Sequence, residues 1–219
     1  MSLLVVGSVA YDSVTTAAGS RADSLGGSAL YFSASASYFT NVSLVAVVGE
    51  DFSKADRKKL SAREVDISGL ETAKGKTFRW EGIYDTENLN FRETIDTQLN
   101  VFADFSPSLA KNNMSHPCLF LANIDPTLQH EVLTQMNPKP RIVALDTMDY
   151  WINDHKDNLS KTIENIDVLF MDETEIKSFT SKSNIFSAAQ AVRDMGPRIV
   201  LVKRGEYGAV MFNEGNIFS

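Results

Sequence analysis

The 219 residues, 43% of them apolar and 22% charged, are enough for one large domain with a substantial core. Twenty-one basic side chains against 28 acidic ones leave a formal charge of −7, which excludes the clustered cationic excess that grips a phosphate backbone, so nucleic acid is not an expected partner. Cys118 is the single cysteine and excludes an internal disulfide; the apolar start at residues 3–6 has neither the basic flank of a leader nor the roughly 20 residues of a membrane span, so a cytoplasmic protein with no membrane partner is expected.

In chain order the pattern predicts a strand at Leu3–Val6, a helix at Ser28–Phe39, a strand at Val42–Val48 and a helix at Ser53–Glu64. Next come two runs that alternate large and polar residues, Thr77–Tyr84 and Phe91–Thr97, read as half-exposed strands joined by a turn at Asp85–Asn90. Strand Cys118–Ala122, helix Thr127–Met136, strand Ile142–Leu145 and helix His155–Ile166 follow. Strand Val168–Met171, helices Asp172–Phe179 and Asn184–Met195, and strand Ile199–Val202 complete the set. Runs apolar on both faces, alternating with helices, predict an α/β fold with an open, mainly parallel sheet covered on both sides. The aromatic hairpin set into that pattern reads as a flap over a site.

Several motifs lie where such a sheet binds ligands. Asp12 follows the first strand in Gly7-Ser8-Val9-Ala10-Tyr11-Asp12, placed to hold substrate hydroxyls or simply to form a turn. Gly26 and Gly27 open a helix expected to be apolar on nearly every side, where backbone can approach a ligand and free amides can attract oxygens. Asp172, Glu173 and Glu175 end a buried strand and start a helix, a pattern equally suited to the helix dipole and to hydrated Mg²⁺ beside phosphates. Lys203-Arg204-Gly205-Glu206-Tyr207-Gly208 ends another strand and suits a phosphate or a base, or forms a charged hairpin turn. A dinucleotide fingerprint is missing after Gly7, which disfavours an oxidoreductase. The stretch Gly69–Thr77 has one residue too many for a Walker loop and runs into a strand pattern.

The ordered set, G-S-x-x-x-D after the first strand, G-G opening a helix, V-x-x-V-G-x-D-x at Val45–Phe52, an aromatic flap, x-E-T-E and K-R-G-x-x-G-A, resembles the PfkB (ribokinase-like) family of carbohydrate and nucleoside kinases over essentially the whole chain. The resemblance implies one α/β domain over residues 1–219 with a small β-sheet lid formed by insertions at about 13–24 and 76–102. It implies ATP and Mg²⁺ as cofactors and phosphoryl transfer to a hydroxyl of a small sugar or nucleoside. Asp12, Gly26 and Gly27 would hold the substrate, with Tyr31 standing where ribokinases use an Asn. Asp172, Glu175, Lys203, Gly205 and Gly208 would line the nucleotide site, with Glu175 reaching the metal through water. Asp172 replaces the family's usual Asn and adds a negative charge; Tyr31 in place of the sugar-binding Asn and Lys203 in place of a common Thr argue against ribose itself, and the aromatics Phe78, Trp80, Tyr84 and Phe91 lean towards a nucleoside. A homodimer through the lid is an option for such folds.

The family's G-A-G-D segment, which carries the general base, has no counterpart up to Ser219, so the resemblance implies an incomplete domain whose 219-residue form is inactive. The rival expectation is a noncatalytic small-ligand-binding or regulatory protein that uses the same pocket.

Overall fold

The computed structural model describes residues 2–85, 87 and 92–219. It opens with β1 (Ser2–Val6), β2 (Ala10–Thr16), β3 (Gly19–Gly26), α1 (Ser28–Ala36), β4 (Asn41–Gly49), α2 (Lys54–Ser61) and β5 (Val65–Ala73). The hairpin strands β6 (Phe78–Tyr84) and β7 (Arg92–Gln98) precede a short 3₁₀ turn at Asn100–Asp104. Then follow β8 (Cys118–Leu121), α3 (Pro126–Gln135), β9 (Ile142–Asp146), α4 (Asp149–Asp154), α5 (Lys156–Ile163) and β10 (Val168–Asp172). The chain continues through α6 (Glu173–Thr180), α7 (Ile185–Arg193), β11 (Ile199–Lys203), β12 (Ala209–Asn213) and β13 (Asn216–Phe218).

Nine strands form one sheet in the order β13-β12-β11-β10-β9-β8-β1-β4-β5. All neighbours from β11 to β5 pair parallel, and β12 and β13 add antiparallel at one edge. Because side chains alternate across a pleated strand, single strands feed two cores. Leu4 and Val6 of β1, Val45 and Val47 of β4, and Leu169 and Met171 of β10 enter one; Val5, Leu44, Ala46, Val48 and Phe120 enter the other. Both faces are thus apolar, as the strand composition predicts. On the second face Phe32 of α1 stacks on Phe120 with ring centroids 3.5 Å apart.

A separate four-stranded sheet runs β3-β2-β6-β7. β2 and β6 pair parallel, and the outer pairs are antiparallel. The predicted aromatic hairpin is therefore the β6–β7 half of this sheet; its turn and Phe91 fall largely outside the described residues.

Three local expectations change. Helix α1 stops at Ala36 and buries only Ala29, Leu30 and Ser33, leaving Tyr38 and Phe39 exposed, since just one of its sides faces the sheet. Strand β5 is unpredicted because, at the sheet edge, it alternates buried and exposed positions around Gly69. Its C-terminal side carries the stretch that mimics a Walker loop, and no helix follows it: Thr77 leads straight into β6. Helix α4 is also unpredicted; it is only six residues long and holds one buried residue, Ile152. Among the described residues no helix is long and apolar enough to cross a membrane.

Candidate active site

Adjacent parallel strands bring their carboxyl ends together, and in an open α/β sheet that edge is where ligands bind. Here Asp146 ends β9, Asp172 ends β10 and Lys203 ends β11, with Lys203 in register beside Asp172. Lys203 Nζ lies 2.8 Å from Asp146 Oδ1. These residues, with Asn123, Thr147, Glu175, Gly205 and Arg92 from the small sheet, line a cleft of about 310 Å³. An adjoining hollow of about 240 Å³ shares Arg92, Met148 and Asp172 and adds Thr94 and Asp149.

The charges in this cleft are strongly perturbed. Burial, opposed by Lys203 and reinforced by Asp172, pushes the Glu175 carboxyl up to about 7. Burial also raises Asp146 against the pull of Lys203. The Lys203 ammonium feels burial in the opposite sense, but Asp146 and Glu175 outweigh it and hold the proton more tightly than usual. Asp149 is raised by burial and by Asp172, with Arg92 acting against both.

The acidic run has a structural task. Asp172 caps α6: its Oδ1 accepts from Glu175 N at 2.7 Å, while Glu175 Oε2 accepts from Asp172 N at 2.6 Å, a reciprocal capping box. Arg204 Nε donates to Glu173 Oε2 at 2.8 Å, so Lys203 and Arg204 are each paired with an acidic side chain. Arg204 N also bonds Gly208 O at 2.8 Å and closes the β11–β12 turn, with Gly205 and Gly208 at φ 55° and 81°. A β-carbon at Gly208 would meet nothing within 4 Å.

A second cluster is built around Asp12, which lies inside β2 rather than in a loop after β1. It accepts a hydrogen bond from the Gly27 amide, and burial pushes its carboxyl up to about 6. A β-carbon at Gly26 would stand 2.1 Å from Asp12 Oδ2, so any other residue there would displace the Asp12 carboxylate. Gly27 has φ 94°, and a β-carbon on it would stand 2.4 Å from Ser8 O. The helix-start amides are not all free, as a ligand-binding turn would have them: Ser28 N bonds Ser8 Oγ at 3.2 Å and Ala29 N bonds Ser8 O at 3.1 Å. Ser28 Oγ in turn accepts from Asn123 N at 3.0 Å, which ties this corner to the cleft. Asn123 Oδ1 is fixed by Trp151 Nε1 at 2.9 Å.

One strand register joins the two clusters. Asp12 pairs with Trp80 of β6, which pairs with Thr97 of β7, while Gly82 pairs with Thr94 and Tyr84 with Arg92. Paired residues share a face, so Asp12, Trp80, Thr94 and Arg92 lie on one side of the small sheet, the side that meets Asp149 and Asp172. Tyr31 is not brought into this arrangement. One turn into α1 it is 61% exposed, its hydroxyl bonds Leu25 O at 2.8 Å, and it lines a separate groove of about 860 Å³ with Tyr38, Lys59 and Arg63. That groove is larger than the cleft but holds no comparable cluster of perturbed groups.

Sequence reasoning missed Asn123, Asp146, Thr147 and Arg92. Asp146 directly follows the apolar run Ile142–Leu145, the signal that singled out Asp12, and could have been found in the same way. Asn123 and Arg92 gain their meaning only from the folded register.

A doubly wound sheet with its cleft at the strand ends, beside a second small sheet, defines a ribokinase-like α/β protein. The chain belongs to the pfkB family of carbohydrate kinases, whose profile matches residues 2–218. The cytidine kinase of Thermococcus kodakarensis is 24% identical over 220 residues, which span 97% of this chain and 76% of that protein. The nucleoside kinase of Methanocaldococcus jannaschii superposes with a TM-score of 0.72 at 18% identity, covering 100% of this chain and 75% of that one. A fructokinase from Vibrio cholerae O395, in its fructose-, ADP- and calcium-bound form, gives a TM-score of 0.73 at 16% identity, covering 99% and 75%.

Proposed function

We propose that this protein transfers the terminal phosphoryl group of Mg²⁺-ATP to a hydroxyl of a small sugar or nucleoside. The observation that carries this reading is the shared face of the small sheet, which presents Asp12 and, two strands away, the Arg92 that lines the cleft with Asp146, Asp172 and Lys203. Asp12, with a carboxyl near 6, is mostly ionised at neutral pH and accepts hydrogen bonds from substrate hydroxyls, which Gly26 and Gly27 allow to come close.

The residues of the cleft fit a nucleotide. Thr147, which lines the cleft, is buried, and its Oγ1 has no hydrogen-bond partner among the described residues. No group of three or more His, Cys, Asp or Glu side chains among the described residues forms a ready metal cage. This suits Mg²⁺, which keeps most of its waters and is held largely by phosphates. Asp172 and Glu175, oriented by their capping box, would hold those waters; Lys203, Gly205 and Gly208 would line the nucleotide. When bound, the ion neutralises charge on the transferring group. The β6–β7 hairpin acts as a lid that excludes water.

Thermal unfolding with single additions tests this reading. A sugar or nucleoside and Mg²⁺-ATP should each raise Tm, and Asp12→Asn should abolish only the first shift. Absence of both shifts, across a panel of hydroxylated acceptors, would sink the proposal.

A further inference from the structure

Trp80 is held in an unusual way for a strand residue on a small sheet. Gly82, two positions on and facing the same side, is buried beneath it, and a β-carbon there would stand 2.1 Å from Trp80 Cη2 and 2.4 Å from Cζ2. The indole therefore lies along the sheet, over the one position in β6 that has no side chain. Its Nε1 donates to Thr94 Oγ1 at 3.2 Å, which fixes the ring about its own axis. The ring is only half-buried, so it keeps free surface on the side of the sheet that carries Asp12, its partner in register on β2.

Phe78, on the same strand, is not disposed like this. Phe78 stacks on Phe102 with centroids 5.1 Å apart, and Phe102 continues to Phe105 at 5.6 Å, so Phe78 belongs to a packed aromatic row. Trp80 enters no ring pair among the described residues. A flat, oriented, half-exposed indole one strand away from a carboxylate suited to hydroxyls is a stacking platform. Its rotational freedom is already restricted, so little ordering remains when a planar group settles on it.

We propose that Trp80, seated on Gly82 and oriented by Thr94, stacks on the base of the substrate, so that the acceptor is a nucleoside rather than a free sugar. Asp12 holds the sugar hydroxyls and Trp80 the heterocycle joined to them. This rests on the phosphotransfer reading above and narrows its substrate class. A base on an aromatic side chain is recognised through its π-face, which makes the platform tolerant of base identity unless edge contacts add to it.

The test is equilibrium binding, by calorimetry, of cytidine, uridine, adenosine and guanosine against D-ribose and D-fructose, on the wild type and on Trp80→Ala, Trp80→Phe, Gly82→Ala and Asp12→Asn, each checked for folding by circular dichroism. At least one nucleoside should bind the wild type at least about 10-fold more tightly than D-ribose. Trp80→Ala should weaken that nucleoside by about 10- to 100-fold, the span of one base–aromatic stack, with ribose unaffected. Gly82→Ala, which tips the ring, should act in the same direction, and Trp80→Phe should restore most of the affinity. Equal binding of free sugars and nucleosides, or a nucleoside-to-ribose ratio unmoved in Trp80→Ala, overturns the proposal while leaving sugar phosphorylation through Asp12 intact. If neither class binds, or Asp12→Asn changes neither, the phosphotransfer reading itself falls and this inference falls with it.

Discussion

Lys203 Nζ and Asp146 Oδ1 meet at 2.8 Å across the end of β10, so the ends of β9 and β11 are tied over the Asp172 that lies between them. One ammonium thereby faces three carboxylates, those of Asp146, Asp172 and Glu175.

Removing that ammonium leaves like charges facing one another. Lys203→Ala should lower unfolding stability by about 1–3 kcal/mol near pH 8, a value discounted from that of a fully buried pair because Lys203 is partly exposed. The loss should shrink towards pH 5, where Glu175, with its carboxyl near 7, is already neutral. Urea melts at the two pH values measure this, and an equal loss at both would contradict the electrostatic account.

Asp12 and Glu175 set a pH dependence of their own. Their folded values, about 6 and about 7, lie above those of an unfolded chain, so the native state binds the extra protons. The stability they contribute is complete below about pH 4 and is lost as pH rises through 6 and 7. Asp51, Asp56 and Glu173, held low despite partial burial by hydrogen bonds and cations, lose theirs on acidification instead. The ligand-free protein should therefore be most stable near about pH 5. Asp12→Asn should flatten the decline above pH 5 by up to about 2 kcal/mol and make the protein more stable at pH 8 while impairing acceptor binding. Urea midpoints across pH 5–8 decide it.

Two glycines should respond differently to the same methyl group. Gly27→Ala adds a β-carbon 2.4 Å from Ser8 O at φ 94° and should cost about 2–4 kcal/mol, carrying Asp12 out of position. Gly208→Ala meets open space and should cost only about 1–2 kcal/mol of backbone strain at φ 81°. Similar costs at the two positions, read from thermal melts, would refute the steric argument.

The small sheet is fastened to the large one through Asp51, whose Oδ1 accepts from Thr77 N at 2.7 Å and Thr77 Oγ1 at 2.6 Å, while Oδ2 accepts from Arg79 at 2.8 Å. Thr77 is buried, so Asp51→Ala orphans two donors and should cost about 2–4 kcal/mol. Limited proteolysis should then cut within residues 78–98 faster than in the wild type; an unchanged digestion pattern would argue against this fastening.

The two-sided apolar strands made the parallel sheet readable, because Leu4-Val5-Val6 and Leu169-Phe170-Met171 leave no polar face for water. Edge strand β5 escaped because half of its residues are solvated, as in a loop. At the site, Asp12 and the two glycines were legible from position, but what glycine at 26 makes room for, a carboxylate oxygen 2.1 Å from where a β-carbon would stand, exists only after β2 and β3 pair. Asp172 and Glu175 were legible as a helix start, and a start is what they form. For Tyr31 similarity of motif gives only a sequence position, while the rotation of α1 decides which way the ring faces, and it lines the groove with Tyr38 and Arg63. Arg92 and Trp80 acquire meaning through a register that runs across three strands from different parts of the chain.

The strand order also bears on how the molecule is made. From β8 onward each new strand lies beside the one synthesised before it, so on the ribosome that half of the sheet can grow outward one strand at a time as the chain emerges. β1 is different: it sits between β4 and β8, and its second edge stays bare until residues 118–121 have been translated. For the span of roughly a hundred codons, the nascent chain carries an apolar strand with an open flank, and this is the interval in which a chaperone would find it.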